Sequence, residues 1–312
     1  MNALKMKDKV AVVGAGNVGS TLAMRIWENG LADVVLLDIC ASMAQGKALD
    51  ISDESGMSRV PNTIKGTGDY SDVKGAKVAV ITAGFPRRPG MSREELVAKN
   101  AAVVKEVVLN IRANAPGAII IVVTNPLDAM TYLAYKTSSF GRARVMGMAG
   151  LLDESRFITL ISHALSVHPK DVKTVMMGSH GDTMVPVISR TKVGNKNIGA
   201  VLSKDRIGEL IKMTRDRGAR IVNLLGSGSA YYSPSFGAFR MVEAILNDSR
   251  EAFTASVYME GEYGLNDICI GVPVILGAKG IESISQIKLD RDEKALLVKS
   301  AEAIIQTIKL LP

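Results

Sequence analysis

At 312 residues, 47% apolar and 22% charged, the chain is long enough for a sizeable core and two lobes. Its aromatic share of 4% and a net charge of +7 without any run of five or six basic residues argue against a nucleic-acid surface and read first as an ordinary solvated basic surface, with small acids among the anions it could attract. Two distant cysteines, Cys40 and Cys269, exclude a disulfide scaffold or CxxC metal site, and with no signal-type or membrane-length apolar segment the expected location is the cytoplasm.

In chain order, KVAVVG (9–14) and DVVLLD (33–38) read as strands on either side of a helix at 17–30. Further strands are predicted at 76–84, 118–126 and 143–148, with a helix at 94–115. All of these runs are continuously apolar, as parallel strands buried on both faces must be. The alternation predicts an α/β fold: a Rossmann-type doubly wound parallel sheet over residues 1–149. Beyond it, helices at 151–166, 203–224, 232–247 and 290–311 mix with strands near 172–177, 253–259 and 268–276. That pattern predicts an α+β substrate and catalytic domain over 150–312. Helices at 42–57 and 207–224 offer apolar positions for subunit interfaces.

The first strand-to-helix turn, Gly14-Ala15-Gly16-Asn17-Val18-Gly19, has G-x-G-x-x-G spacing. Gly14 permits a tight turn, Gly16 lets backbone approach a pyrophosphate, and Gly19 lets helix and strand pack closely. Asp38 ends the second strand about 20 residues on, where a carboxylate accepts from a ribose and repels a 2′-phosphate. NAD is therefore favoured over NADP, unless Asp38 merely caps a surface strand. Tyr132 and Lys136 match the Y-x-x-x-K spacing of short-chain dehydrogenases. The glycine spacing differs from that family's and AIIIVV contains no serine, so they read as two surface residues one helical turn apart.

The segment GFPRRPGMSR (84–93) reads as a loop carrying Arg87, Arg88 and Arg93, because its prolines and glycines suit no helix interior. Among three histidines, His163 sits in an apparent helix and His168 precedes Pro169; both read as structural or exposed. His180, between small residues in GSHGDT, can face a cleft and titrates near neutrality. Asp153 is the candidate carboxylate to orient it. Arg156, three positions on, shares a helix face with Asp153. On spacing alone the two are equally a site or a surface ion pair of little worth.

GAGNVG, LLD, TAGFPRRPGMSR, VVTNPLD, GLLDESRF and GSHGDTMVP occur here in the order seen in the lactate/malate dehydrogenase family. From about residue 8 to its end the chain resembles that family, and within it the malate dehydrogenases of the lactate-dehydrogenase-like branch. The resemblance implies reversible, NAD-linked oxidation of (S)-malate to oxaloacetate, with no metal. It implies that His180 exchanges the proton, that Asp153 pairs with it, and that Arg156 clamps the substrate's C1 carboxylate. Asn125 would orient substrate and nicotinamide, and Arg93 would polarise the reacting carbonyl. Arg87 falls where lactate dehydrogenases typically carry glutamine and malate dehydrogenases arginine; it would pair with the second carboxylate, while Arg88 faces solvent. Asn100, Val123 and Thr124 would join the glycine turn in contacting the cofactor. A homodimer or homotetramer is implied, with a small dicarboxylate as partner and neither nucleic acid nor membrane. A lactate or broader 2-hydroxy-acid dehydrogenase is the alternative, and Arg87 disfavours it. The stretches ICASMAQGKALD and ISDESGMSRV depart from the family's pattern without touching a catalytic position. Ala230 is small enough to leave room for a dicarboxylate.

Overall fold

The computed structural model of the chain describes residues 7–86 and 90–312. Strand β1 (Lys9–Val13) leads through the glycine turn into α1 (Asn17–Glu28), and β2 (Asp33–Leu37) leads into α2 (Ala41–Asp53). A one-turn helix, α3 (Ser55–Ser58), precedes β3 (Ile64–Thr67), β4 (Val78–Ile81) and the long α4 (Arg93–Asn114). Then come β5 (Ile119–Val122), α5 (Leu127–Ser138) and β6 (Val145–Met148). The six strands are parallel in the order β3-β2-β1-β4-β5-β6. Strand order reverses between β1 and β4, so their C-terminal ends open the kind of crevice in which ligands of doubly wound sheets bind.

The second half begins with α6 (Gly150–Leu165), β7 (Val172–Lys173), β8 (Met176–Gly178) and β9 (Met184–Pro186). Short strands β10 (Lys192–Val193) and β11 (Lys196–Asn197) follow, then α7 (Lys204–Leu225) and α8 (Tyr232–Leu246). The chain closes with β12 (Glu251–Glu260), β13 (Asn266–Gly277), β14 (Gly280–Ile284) and α9 (Arg291–Ile308). Strand β12 pairs antiparallel with β6, and β13, β8 and β9 extend the same sheet. One continuous sheet therefore runs through both halves, and β7, β10 and β11 form a small separate one.

The expected doubly wound fold is present, and its strands are buried as their composition demands. Val78–Ile81 and Ile119–Val122 are buried at every position. Trp27 of α1 is fully buried, with its indole N–H donating to the Asn62 carbonyl at 2.8 Å. That anchor fixes the helix whose N-terminus faces the crevice. Helix α4 starts at Arg93 because Ser92 and Glu95 form a reciprocal capping box there.

Several elements differ from expectation. The helix expected at 42–57 breaks at Glu54 into α2 and α3, and the strand expected at 172–177 splits, β7 pairing with β10 and β8 with β13. Strand β3 had no apolar run to announce it, since its only buried residue is Thr67.

Candidate active site

The crevice at the end of β1 is shaped by glycines that do different jobs. Gly14 has φ of 106°, and a Cβ there would lie 2.6 Å from the Ala83 nitrogen. At Gly19 a Cβ would meet the Gly14 carbonyl oxygen, so close helix–strand packing demands glycine. A Cβ on Gly16 would meet nothing within 4 Å. Protein packing does not require glycine at that position; backbone approach by a ligand does. Helix α1 begins there with no side-chain cap and no acidic residue in its first turn, which leaves its N–H groups and positive end free for an anion. Asn17 is exposed and Val18 half-buried beside it.

Asp38, at the end of β2, accepts from the Ala15 N–H at 2.7 Å and the Cys40 N–H at 2.9 Å. Ala15 is buried, and its N–H is committed to Asp38. Lys47 of α2 donates to the Ala15 carbonyl at 2.7 Å, bracing the turn from the other side. A cavity of about 320 Å³ runs past Gly14, Gly16, Asp38, Tyr70, Ala83 and Phe85. Burial, with the negative charges of Glu106 and Asp38, pushes the Tyr70 phenol up to about 12, so Tyr70 keeps its proton at neutral pH. The open Gly16, the free helix end and the carboxylate at the strand tip fit a dinucleotide.

At the far end of that crevice, α6 presents Asp153 and Arg156 on one face, with Arg156 Nη1 donating to Asp153 Oδ1 at 3.3 Å. Asp153 is only 2% exposed, so the pair is not a surface ion pair. His180 follows β8, and its Nδ1 lies 2.8 Å from Asp153 Oδ2. Two further contacts pin this turn: Asp128 Oδ2 accepts from the His180 N–H at 3.0 Å, and Ser300 accepts from the Ser179 N–H at 2.8 Å. Asp128 is in turn held by the Ser256 hydroxyl at 2.7 Å. Burial pulls the proton affinity of His180 down, but the Asp153 charge and hydrogen bond outweigh it and leave the imidazole above its ordinary value. Burial raises the Asp128 carboxyl, against the opposing hydrogen bonds from Ser256 and His180. Arg156 is lowered by burial, which Asp153 partly offsets, and its Nε is buried without a partner. Such an orphaned donor is costly unless a ligand satisfies it.

Two cavities meet at His180 and Asn125. One, of about 490 Å³, is lined by Asp153, Arg156, Arg215 and Ala230; the other, of about 350 Å³, by Arg93, Ser179 and Asp182. Arg93 Nη2 donates to Thr307 of α9 at 2.6 Å. Asn100 is buried against the loop that follows β4. Its amide is 1% exposed and spans Phe85 and the Asn125 carbonyl, so it braces the site from behind. Thr124 likewise spends its hydroxyl on the Ala83 carbonyl, and the Val123 N–H goes to Ile81. Arg87 and Arg88 lie outside the described residues. Tyr132 and Lys136 cluster instead with Tyr258 and Asp267, and His163 and His168 are exposed.

Sequence reasoning missed Asp128, Lys47 and Arg215. Asp128 stands in VVTNPLD, one of the motifs that carry the resemblance, but its partners lie 52 and 128 positions away. Among the described residues, no group of three or more His, Cys, Asp and Glu side chains is placed to hold a metal. No described helix is long and apolar enough to cross a membrane.

Residues 8–147 match the NAD-binding domain model of lactate/malate dehydrogenases, and residues 151–311 match the α/β C-terminal domain model of the same family. A malate dehydrogenase from Staphylococcus carnosus is 48% identical over 300 residues, 96% of each chain. Among solved structures, the malate dehydrogenase of Cryptosporidium parvum superposes with a TM-score of 0.94 at 38% identity, covering 97% of this chain and 98% of that one. The lactate dehydrogenase of the same organism, solved with lactic acid and β-nicotinamide adenine dinucleotide, gives 0.95 at 36% identity and 98% of both chains. Backbone shape thus separates the two activities poorly, whereas sequence and domain matches agree on kinship: the chain belongs to the lactate/malate dehydrogenase family.

Proposed function

We propose that the chain is an NAD-dependent malate dehydrogenase, interconverting (S)-malate and oxaloacetate. The observation that carries this is the His180–Asp153–Arg156 cluster lining a cavity, in a chain whose glycine turn and Asp38 line a second one. Gly14, Gly16, Asn17, Val18 and Gly19 would hold the pyrophosphate side of the cofactor, Asp38 the ribose, and Asn125 the nicotinamide side. Ala15, Asn100, Val123 and Thr124 shape this wall. When bound, the nicotinamide accepts a hydride from substrate C2 or returns it.

His180 Nδ1–H faces Asp153, which leaves Nε2 for the substrate oxygen. In malate oxidation neutral Nε2 takes the hydroxyl proton, and Asp153 stabilises the imidazolium; in oxaloacetate reduction the imidazolium returns it. Arg156, with an unsatisfied Nε beside its Asp153 contact, binds the C1 carboxylate. Arg93 would leave Thr307 to polarise the carbonyl, and Arg87, outside the described residues, would supply the cation for the distal carboxylate. A division at 1–149 and 150–312 would put the cofactor contacts in the first part and the proton-transfer pair His180 and Asp153 in the second. The test is NADH absorbance on adding oxaloacetate: rapid loss is expected, and no loss with folded protein refutes the reading.

Exposed apolar side chains support a homodimer or homotetramer. Leu49 and Met57 protrude near α2, with Leu224, Leu225 and Phe236 on α7 and α8. Ala230 and Pro234, beside these last positions, line the substrate cavity, so a second copy on this face would also shield the site. Light scattering is expected to give the mass of two or four chains; a single-chain mass at micromolar concentration contradicts the assembly. We place the protein in the cytoplasm, with a small dicarboxylate as its ligand and neither nucleic acid nor membrane as partner.

A further inference from the structure

Glu154 follows Asp153 on α6 and is half-buried, with Oε1 turned inward onto β8 and β12, yet no step above uses it. One oxygen, Oε1, accepts from the Met176 N–H at 3.0 Å and from the Thr254 hydroxyl at 2.5 Å. Met176 opens β8, the strand that delivers His180. Thr254 lies on β12 two residues before Ser256, which holds Asp128 and through it the His180 N–H. Glu154 thus ties the helix bearing Asp153 and Arg156 to both elements that fix the imidazole.

We propose that Glu154 is a positioning residue for proton transfer: it locks α6 to β8 and β12, and when it ionises it adds a negative charge behind the Asp153–His180 pair that tightens the imidazole's hold on its proton. Both hydrogen bonds end on Oε1, so the carboxyl keeps them whether or not Oε2 carries a proton. Burial, eased by the Thr254 and Met176 hydrogen bonds and reinforced by the Asp153 charge, lifts this carboxyl to about 7. Asp153 is the charge that acts on it; β8 and β12 offer Met176 and Thr254, which do not titrate, and α7 brings Arg217 to Arg156 instead. The second charge therefore arrives near neutral pH, beside an imidazole whose own value is raised.

The inference rests on the dehydrogenase reading only for its consequence in catalysis, so the experiment reads His180 directly. The chain has three histidines, and loss of one imidazole Cε1–H resonance in His180→Asn assigns that of His180. Glu154→Gln keeps an oxygen acceptor but stays neutral. It is expected to lower the His180 titration midpoint by on the order of half a pH unit, and the alkaline limb of oxaloacetate reduction with it. Thr254→Val removes a hydrogen bond that favours the carboxylate; it should move the midpoint the same way by less. Coincident midpoints in wild type and Glu154→Gln overturn the proposal; should that variant not fold, an unmoved midpoint in Thr254→Val does so. A wild type inert toward oxaloacetate would refute the dehydrogenase reading and leave the midpoint to decide the role of Glu154.

Stability gives a separate check. The unfolded chain ionises Glu154 near the ordinary value of about 4.3, whereas the folded chain keeps the proton up to about 7. Stability is therefore lost as pH rises between those values, a loss Glu154→Gln escapes. The melting temperature of Glu154→Gln relative to wild type should climb from pH 4.5 to pH 7, and a constant difference counts against the buried acid.

Discussion

Replacing His180 by Asn is expected to lower kcat for oxaloacetate reduction by roughly 10²–10⁴-fold, the usual worth of a positioned acid–base group. An amide can still donate to Asp153, and the backbone N–H of residue 180 keeps its bond to Asp128, so the turn should hold. The lost property is a proton that comes and goes near neutrality. NADH affinity, read by fluorescence titration, should change by less than about threefold, because the crevice along β1 and β2 is built by other residues. Near-normal turnover removes His180 from proton transfer.

Arg156→Leu is expected to cut kcat/KM for oxaloacetate by about thirty- to several-thousand-fold, since an unpaired buried charge costs roughly 2–5 kcal/mol. A carboxylate drawn in beside Asp153 without its guanidinium meets a like charge at close range. Arg156→Lys keeps the charge but not the planar two-donor edge, so it should fall between wild type and Arg156→Leu. Equal kcat/KM for all three shows that substrate binds elsewhere.

Much of this arrangement was legible in the sequence, for reasons tied to particular residues. Continuous apolar runs announced β1, β2, β4, β5 and β6, and the glycine spacing placed the crevice. The spacing of Asp153 and Arg156 placed them on one face of a helix, but whether that face was wet or buried awaited packing of α6 against its neighbours. Asp128 was illegible because its partners are a backbone N–H and a hydroxyl from distant strands. Glu154 was illegible for another reason: an acid beside an acid normally points to water, and only the donors of Met176 and Thr254 turn its Oε1 inward. The bracing role of the Asn100 amide against Phe85 and Asn125 was illegible too, because those partners stand 15 and 25 positions away.

What separates a four-carbon diacid from pyruvate is one additional carboxylate: Arg156 and Arg93 line the cavities that meet at His180, and the proposed reading assigns the additional carboxylate to Arg87, six positions before Arg93. The direct measurement is steady-state kcat/KM for oxaloacetate against pyruvate, with NADH saturating. A ratio on the order of a hundred or more in favour of oxaloacetate is predicted, matching one desolvated charge pair; a ratio of one or below contradicts recognition of both carboxylates.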